Sequence, residues 1–185
     1  MEASKGLEYA ISLGIRLSDT VLSTIEEGPS LIYKHHYKTV NWILDQTAEQ
    51  IANLLQSAGY SSLAIPASQV VDWKHQGGHF SHRVVARECG LGWIGKSGLL
   101  VHHQYGARVR YATVLTDFPL SEDRSQETGE CGSCQKCIDA CPAGAISEAG
   151  YEREKCVAKL KQFAGMRGIG VSICGICVKV CGRRV

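Results

Sequence analysis

No apolar run in this 185-residue chain is long enough to cross a bilayer, because a crossing helix needs about 20 consecutive apolar residues. A membrane partner is therefore not expected. The first residues, Met1-Glu-Ala-Ser-Lys5, lead into no secretory apolar core, which predicts a soluble, cytoplasmic chain. A strong excess of one charge sign is also missing, the formal net charge being +2. The length suits one ordinary domain with a small appendage.

What the chain has in excess is cysteine, with eight of its nine thiols gathered in the last third. The run Cys131-Gly-Ser-Cys134-Gln-Lys-Cys137-Ile-Asp-Ala-Cys141-Pro142 has gaps of two, two and three residues and a trailing proline. That is the spacing of a bacterial ferredoxin, whose fourth cysteine crosses to a second cluster. Three thiolates on one tight loop can cap three irons of a [4Fe–4S] cube, and the fourth iron needs a ligand from elsewhere. On this pattern Cys131, Cys134, Cys137 and Cys181 hold one cluster, and Cys141, Cys156, Cys174 and Cys177 hold the other. The seventeen residues from Val157 to Ile173 stretch the second motif and must loop out and return. Structural zinc, disulfides and unliganded thiols are the competing readings. Zinc sites have no reason to place a fourth cysteine before proline, and disulfides suit secreted chains. Each [4Fe–4S]²⁺ cube with its four thiolates carries about −2, so the loaded protein turns slightly acidic, which speaks against a nucleic-acid partner.

Along the chain, Leu7 to Leu17 alternates apolar and other residues, the pattern of a strand with one buried face. Ser18 or Asp19 should cap a short helix through Ile25, ended by Gly28-Pro29. A long helix runs from Ser30 to Ala58, with Val40, Ile43, Leu44, Ile51, Leu54 and Leu55 at helical spacing and Gly59 as its stop. His35 and His36 fall on what reads as its exposed polar face. Leu63 to Pro66 is a short strand. Ser81 should cap a helix from His82 to Cys89 ending at Gly90. Leu99–His102 and Val109–Thr116 read as consecutive strands, and Ser121 to Glu130 as a charged linker. Cys89, without a partner at ligand spacing, reads as a small core residue.

Two irregular stretches carry candidate chemistry. Between Asp72 and His82 lie three histidines, a lysine and an aspartate in eleven residues, a loop that faces something or a polar loop with aromatic anchors. Gly90-Leu-Gly92-Trp93-Ile-Gly95-Lys96-Ser97-Gly98 has four glycines in nine residues, as backbone does where it must turn or let something approach. It is neither a Walker loop nor a dinucleotide fingerprint, since the glycine spacing differs and a helix precedes it.

In order and spacing, the helix running into Gly-Leu-Gly-Trp-Ile-Gly-Lys, then Tyr105-Gly-Ala-Arg108-Val-Arg110, then Leu115-Thr-Asp117-Phe-Pro119-Leu120, then the two-cluster motif, resembles epoxyqueuosine reductase and its relatives, the corrinoid-dependent reductive dehalogenases. The resemblance covers about residues 82 to 181 well and the first 80 more loosely. It implies an α/β (α+β) fold: a nitroreductase-like sheet with helices over 1–120, and a small two-cluster ferredoxin-like domain over 121–185, each with its own core. It implies a cobalamin or other corrinoid bound by Gly90, Leu91, Gly92, Trp93, Gly95, Lys96, Ser97, Tyr105, Arg108 and Arg110, with the Cys141 cluster nearer to it. Flavin (FMN) in the same sheet is the lesser alternative. The family's aspartate proton donor has no counterpart between His75 and Ser81, which leaves Lys74, His75, His79, His82 and Tyr105 as proton-donor candidates. The larger relatives' amino-terminal part, the dehalogenases' twin-arginine signal and the carboxy-terminal helical repeats that help hold tRNA are not in this sequence. These departures predict a truncated relative for which tRNA is not the substrate.

The expected function is thus a reductase passing electrons through two clusters to a corrinoid. The alternative is an electron-transfer protein or reductive activator of a partner enzyme. Either reading implies a low-potential donor such as ferredoxin or flavodoxin, and possible partners extend to a corrinoid or redox protein.

Overall fold

The structure, a computed structural model, describes residues 4–72, 77–121 and 129–182. Alternating apolar residues form β1 (Tyr9–Arg16), and Ser18 then accepts the Val21 N–H to start α1 (Asp19–Ser23). Ser30 in turn accepts the Tyr33 N–H at the start of α2 (Leu31–Ser57). That helix closes as expected at Gly59: the Gly59 N–H reaches Gln56 O at 2.9 Å and the Tyr60 N–H reaches Leu55 O at 3.0 Å. These paired bonds satisfy carbonyls that the last turn would leave bare. β2 (Ser62–Ile65) follows, and then α3 (His82–Glu88), where Ser81 makes no side-chain cap and only its carbonyl accepts, from Val84 and Val85.

The glycine stretch contains a strand that periodicity does not show. β3 (Gly92–Ile94) pairs antiparallel with β4 (Leu100–His102), Trp93 standing opposite Val101. Gly92 has φ 158°, and a Cβ there would lie 2.0 Å from Val101 O, so only glycine lets these backbones meet.

β5 (Val109–Thr116) is central in a three-stranded antiparallel sheet of order β1-β5-β2. β1 pairs along its full length, Tyr9 opposite Thr116 through Arg16 opposite Val109. Because side chains alternate across a strand, β5 serves two layers. Ala112 and Val114 meet the α2 face carrying Val40, Leu44, Ala48, Ala52 and Leu55. Tyr111 packs with Ala86 of α3 and Leu100, and Thr113 bonds His82 at 2.8 Å. Cover on both faces is why Tyr111 to Thr116 are all buried.

The tail holds α4 (Lys136–Asp139), a small hairpin of β6 (Ile146–Ser147) and β7 (Gly150–Tyr151), α5 (Arg153–Ala164) and α6 (Ile176–Val180). Part of its apolar side chains joins the core of the α/β part, where separate cores were expected. Ile169, Ile173 and Ile176 pack in one cluster with Leu17, Leu22, Ile25, Tyr33, Val40 and Leu44, because the stretched second motif lays its return segment against α1 and α2. No helix among the described residues is long and apolar enough to cross a membrane.

The shared core makes a prediction. All three tryptophans lie before residue 100, whereas Ile176, 7 % exposed, lies in the tail. Ile176→Ala should cost about 2–5 kcal/mol and lower the urea midpoint read by tryptophan fluorescence. An unmoved tryptophan transition would show two independent cores.

Candidate functional site

Local structure brings the eight tail cysteines into two groups. Cys137 sits in α4, Cys156 in α5 and Cys177 in α6, and the remaining five lie on the turns that enter or leave helices. Burial pushes the Cys177 thiol up to about 12, helped next by the charges of Cys174, Cys156 and Cys141 and, last, of Cys137. Cys174 is raised by burial and then by Cys156 and Cys141. On the other side, Cys137 is raised by burial and then by Cys181 and Cys131, and Cys181 by burial and by Cys131 and Cys134. Cys137 and Cys181 thus feel the charges of Cys131 and Cys134, while Cys174 and Cys177 feel those of Cys141 and Cys156, and Cys177 also that of Cys137. Like thiolates gathered in a half-buried place repel unless a cation lies among them. The donor set fits iron–sulfur ligation. Among the described residues no three His, Cys, Asp or Glu side chains converge as ligands of a single ion would.

The returning cysteine is tied down by the α/β part. The Ala107 N–H donates to Cys181 O at 2.9 Å, and Arg108 donates to Lys179 O at 2.6 Å and to Asp19 at 2.8 Å. Lys179 donates to Ile25 O. Arg108, expected at a corrinoid, instead ties α1 to the end of α6. Tyr105 stacks on His102 with ring centres 5.0 Å apart, under the Arg16 guanidinium.

The glycine hairpin also faces the thiols. A Cβ on Gly95 would lie 3.1 Å from Cys131 Sγ, Trp93 packs against Gly129, and Lys96 donates to Gly132 O and Cys134 O at 3.0 and 3.2 Å. Of the ten residues expected around a corrinoid, only Arg110 borders the large cleft. Gly90, Leu91, Gly92, Trp93, Gly95, Lys96, Ser97, Tyr105 and Arg108 do not line it, since the β3–β4 pairing turns their stretch toward the first cysteine group.

That cleft, of about 790 Å³, runs between α2, residues 65–70 and 77–83, β5 and the return segment before Cys174. Its volume is in the upper part of the usual cofactor range, roughly 300–1,000 Å³. Gly170 to Ile173 and α5 residues Arg153, Leu160 and Ala164 form one wall, so the cleft abuts the group containing Cys156 and Cys174. Two buried polar atoms on its lining have no hydrogen-bond partner, Tyr111 Oη and Gln69 Oε1. A ligand with a polar rim would satisfy both. Of the proton-donor candidates, His79 and His82 line the cleft and Tyr105 does not. Lys74 and His75 lie outside the described residues.

His82 has both ring nitrogens committed, Nε2 to Pro66 O at 2.9 Å and Nδ1 to Thr113 at 2.8 Å. A carbonyl can only accept, so Nε2 carries the proton and Nδ1 accepts from the threonine. Burial, reinforced by Arg110, holds this imidazole below its ordinary value despite the Pro66 bond. His82 therefore serves to join α3 to β5.

The residue the sequence reading missed is Tyr37. Its hydroxyl lies 2.8 Å from Ser68 Oγ, and the Arg110 guanidinium stands 4.5 Å from its ring centre. Burial works to raise this phenol, but the Arg110 charge and bonds from Ser68, Asn41 and Arg110 outweigh it and leave the hydroxyl more acidic than usual. Arg110 is itself aimed by Asn41 Oδ1 at 3.0 Å and Ala67 O at 3.1 Å. The missed signal was the i, i+4 pair Tyr33 and Tyr37, which continues the inward stripe of Val40 and Leu44. His36, read as exposed, accepts the Ser18 N–H through Nε2 at 3.1 Å.

No protein-family model matches the chain. The epoxyqueuosine reductase of Bacillus anthracis is 38 % identical over 89 residues, 48 % of this chain and 23 % of that protein. The epoxyqueuosine reductase of Leadbetterella byssophila is 32 % identical over 108 residues, 54 % of this chain and 35 % of that protein. The matched part is thus about a quarter to a third of these curated relatives. Among solved structures, a catabolic reductive dehalogenase in complex with 3-bromo-4-hydroxybenzoic acid covers 93 % of this chain at TM-score 0.77 and 22 % identity, 25 % of that chain being matched. An epoxyqueuosine reductase with a modified tRNA-Tyr stem loop covers 93 % at TM-score 0.60 and 24 % identity, with 47 % of that chain matched. The resemblance read from the motifs is borne out, and the mixed α/β fold is the one these proteins share. The expectation against tRNA is corrected, because a solved structure of matching fold carries a tRNA stem loop. The grounds for that expectation were the carboxy-terminal repeats missing from this sequence and, more generally, the net charge, and neither describes the face a partner meets.

The histidines set a pH dependence. Burial lowers His36, His82 and His102 from the ordinary value of 6.5, so folding favours their neutral forms. Their contribution is complete above about pH 6.5 and is lost as pH falls through the lowered folded-state values. The urea midpoint should drop on going from about pH 7.5 to about pH 5, less steeply in His82→Gln. A flat profile, or an unchanged slope in the variant, would contradict this.

Proposed function

We propose that the chain is the core of a corrinoid-dependent reductase. In it Cys131, Cys134, Cys137 and Cys181 hold one [4Fe–4S] cluster, and Cys141, Cys156, Cys174 and Cys177 hold a second beside the cleft. The observation that supports this reading is the set of eight tail cysteines at two-cluster spacing, next to a cleft with unsatisfied polar lining whose wall includes Ile173, the neighbour of Cys174. On the same reading residues 1–120 are a nitroreductase-like part and 121–185 a ferredoxin-like part, packed on one common core.

When bound, the clusters supply one-electron transfer and a corrinoid in the cleft supplies a strongly reducing metal centre. The chain's own residues do the rest. Gln69 and Tyr111 offer the polar contacts that a carboxamide-bearing macrocycle would complete. The return segment before Cys174 keeps the second thiol group against the cleft wall, and electron transfer gains from that closeness. Tyr37 is the proton donor: Arg110 stabilises the phenolate left behind, and Ser68 holds the hydroxyl. His79 is at the same cleft with its side chain exposed. We take the substrate to be a modified nucleoside presented by an RNA stem loop. The names of the curated relatives and the stem-loop complex support that choice. The open cleft favours an enzyme over a bare electron carrier.

Purified anaerobically with added cobalamin, the protein should keep corrinoid through gel filtration, and Gln69→Leu should weaken that retention. Tyr37→Phe should keep it yet slow reduction of an epoxyqueuosine stem loop by about 10²–10⁴-fold, the usual weight of a general acid. Failure to retain corrinoid, a bound flavin in its place, or unchanged turnover in Tyr37→Phe would each count against the reading.

A further inference from the structure

Lys96 has no part in the cleft, and its surroundings give it another task. Its side chain is only 17 % exposed, and its ammonium is shared among three oxygens: Gly132 O at 3.0 Å, Cys134 O at 3.2 Å and Glu148 Oε1 at 2.8 Å. Two of these belong to the loop bearing Cys131 and Cys134. The preceding residue, Gly95, gives the hairpin its approach to Cys131 Sγ. The third, Glu148, sits in the turn between β6 and β7 with its side chain 59 % exposed. After Glu148, the charges of Cys131 and Cys134 also act on the ammonium.

A fixed positive charge beside an iron–sulfur cluster favours the more negative, reduced state and raises its potential, and water cannot fully screen a charge that is mostly covered. Glu148 opposes it from the solvent side. We propose that Lys96 sets the reduction potential of the cluster held by Cys131, Cys134, Cys137 and Cys181, with Glu148 as a counter-charge that limits the effect. The proposal rests on the two-cluster reading above. It makes Lys96 a positioning and tuning residue, acting through the cluster and touching no substrate. The step concerned is a one-electron reduction of that cluster, the electron coming from an external reductant.

A redox titration followed by electron paramagnetic resonance on the cluster-loaded protein tests it, with dithionite as reductant. Lys96→Met should lower the midpoint of one cluster by at least 59 mV, a tenfold change in a one-electron equilibrium constant. Lys96→Arg should restore it, and Glu148→Gln should move the same midpoint upward while the other cluster stays put. A merely structural staple would not give opposite signs. Shifts in the same direction, or none, overturn the proposal. So does loss of iron in Lys96→Met together with wild-type potentials in both Lys96→Arg and Glu148→Gln. Wild-type protein that holds no cluster overturns the function proposed above and this inference with it; clusters with unmoved potentials overturn this inference alone.

Discussion

Everything in this molecule depends on returning Cys181 to a loop that begins at Cys131. Bringing distant chain segments together costs entropy that grows slowly with their separation, and here the α/β part contributes to meeting that cost. The Ala107 N–H and the Arg108 guanidinium hold the backbone at Cys181 and Lys179, while Lys179 reaches back to Ile25. Ile169, Ile173 and Ile176 complete the attachment by entering the core of the sheet and its helices. The tail cysteines are therefore placed on a scaffold shared with the α/β part, and on the two-cluster reading proposed above ligation and folding would be coupled.

The same closure makes the cleft. The return segment that the stretched motif inserts becomes the wall facing α2 and β5, so the feature that first looked like a departure from a small ferredoxin supplies one side of the cleft. Arg110 organises the opposite wall. Lying beside the ring of Tyr37 and fixed by Asn41 and Ala67, it is a half-buried cation whose charge makes one phenol more acidic and adds to the burial that lowers a nearby imidazole. On this account acid and electron supply meet in the cleft from two directions: proton from α2, electron from the segment around Cys174.

How much of this was legible in the sequence varied with the physics involved. β1, α1, α2 and β5 were read within a few residues, because each is fixed by local periodicity and caps: Ser18 and Ser30 start helices, Gly59 stops one, and apolar alternation marks the strands. β3 was not read, since its pairing depends on Gly92 allowing backbone contact with Val101, a contact that no periodicity records. The glycine hairpin and Arg108 were recognised as meaningful and assigned to a corrinoid. Motif order told that they matter, and only the folded chain tells that they face Cys131 and Lys179. Tyr37 escaped notice beside four polar and basic residues on its helix. Its acidity comes from Arg110, seventy-three positions away. Separate cores were expected of the two parts that the resemblance implies, but apolar residues in the return segment join them.

Iron and acid-labile sulfide, counted per chain after anaerobic reconstitution, test the central claim most directly. Two cubes predict about eight of each in the wild type and about four in Cys177→Ser, with the remaining cluster held by the group that includes Cys181. Zinc in place of iron, or a Cys177→Ser protein that still carries about eight irons, would contradict the assignment on which this account stands.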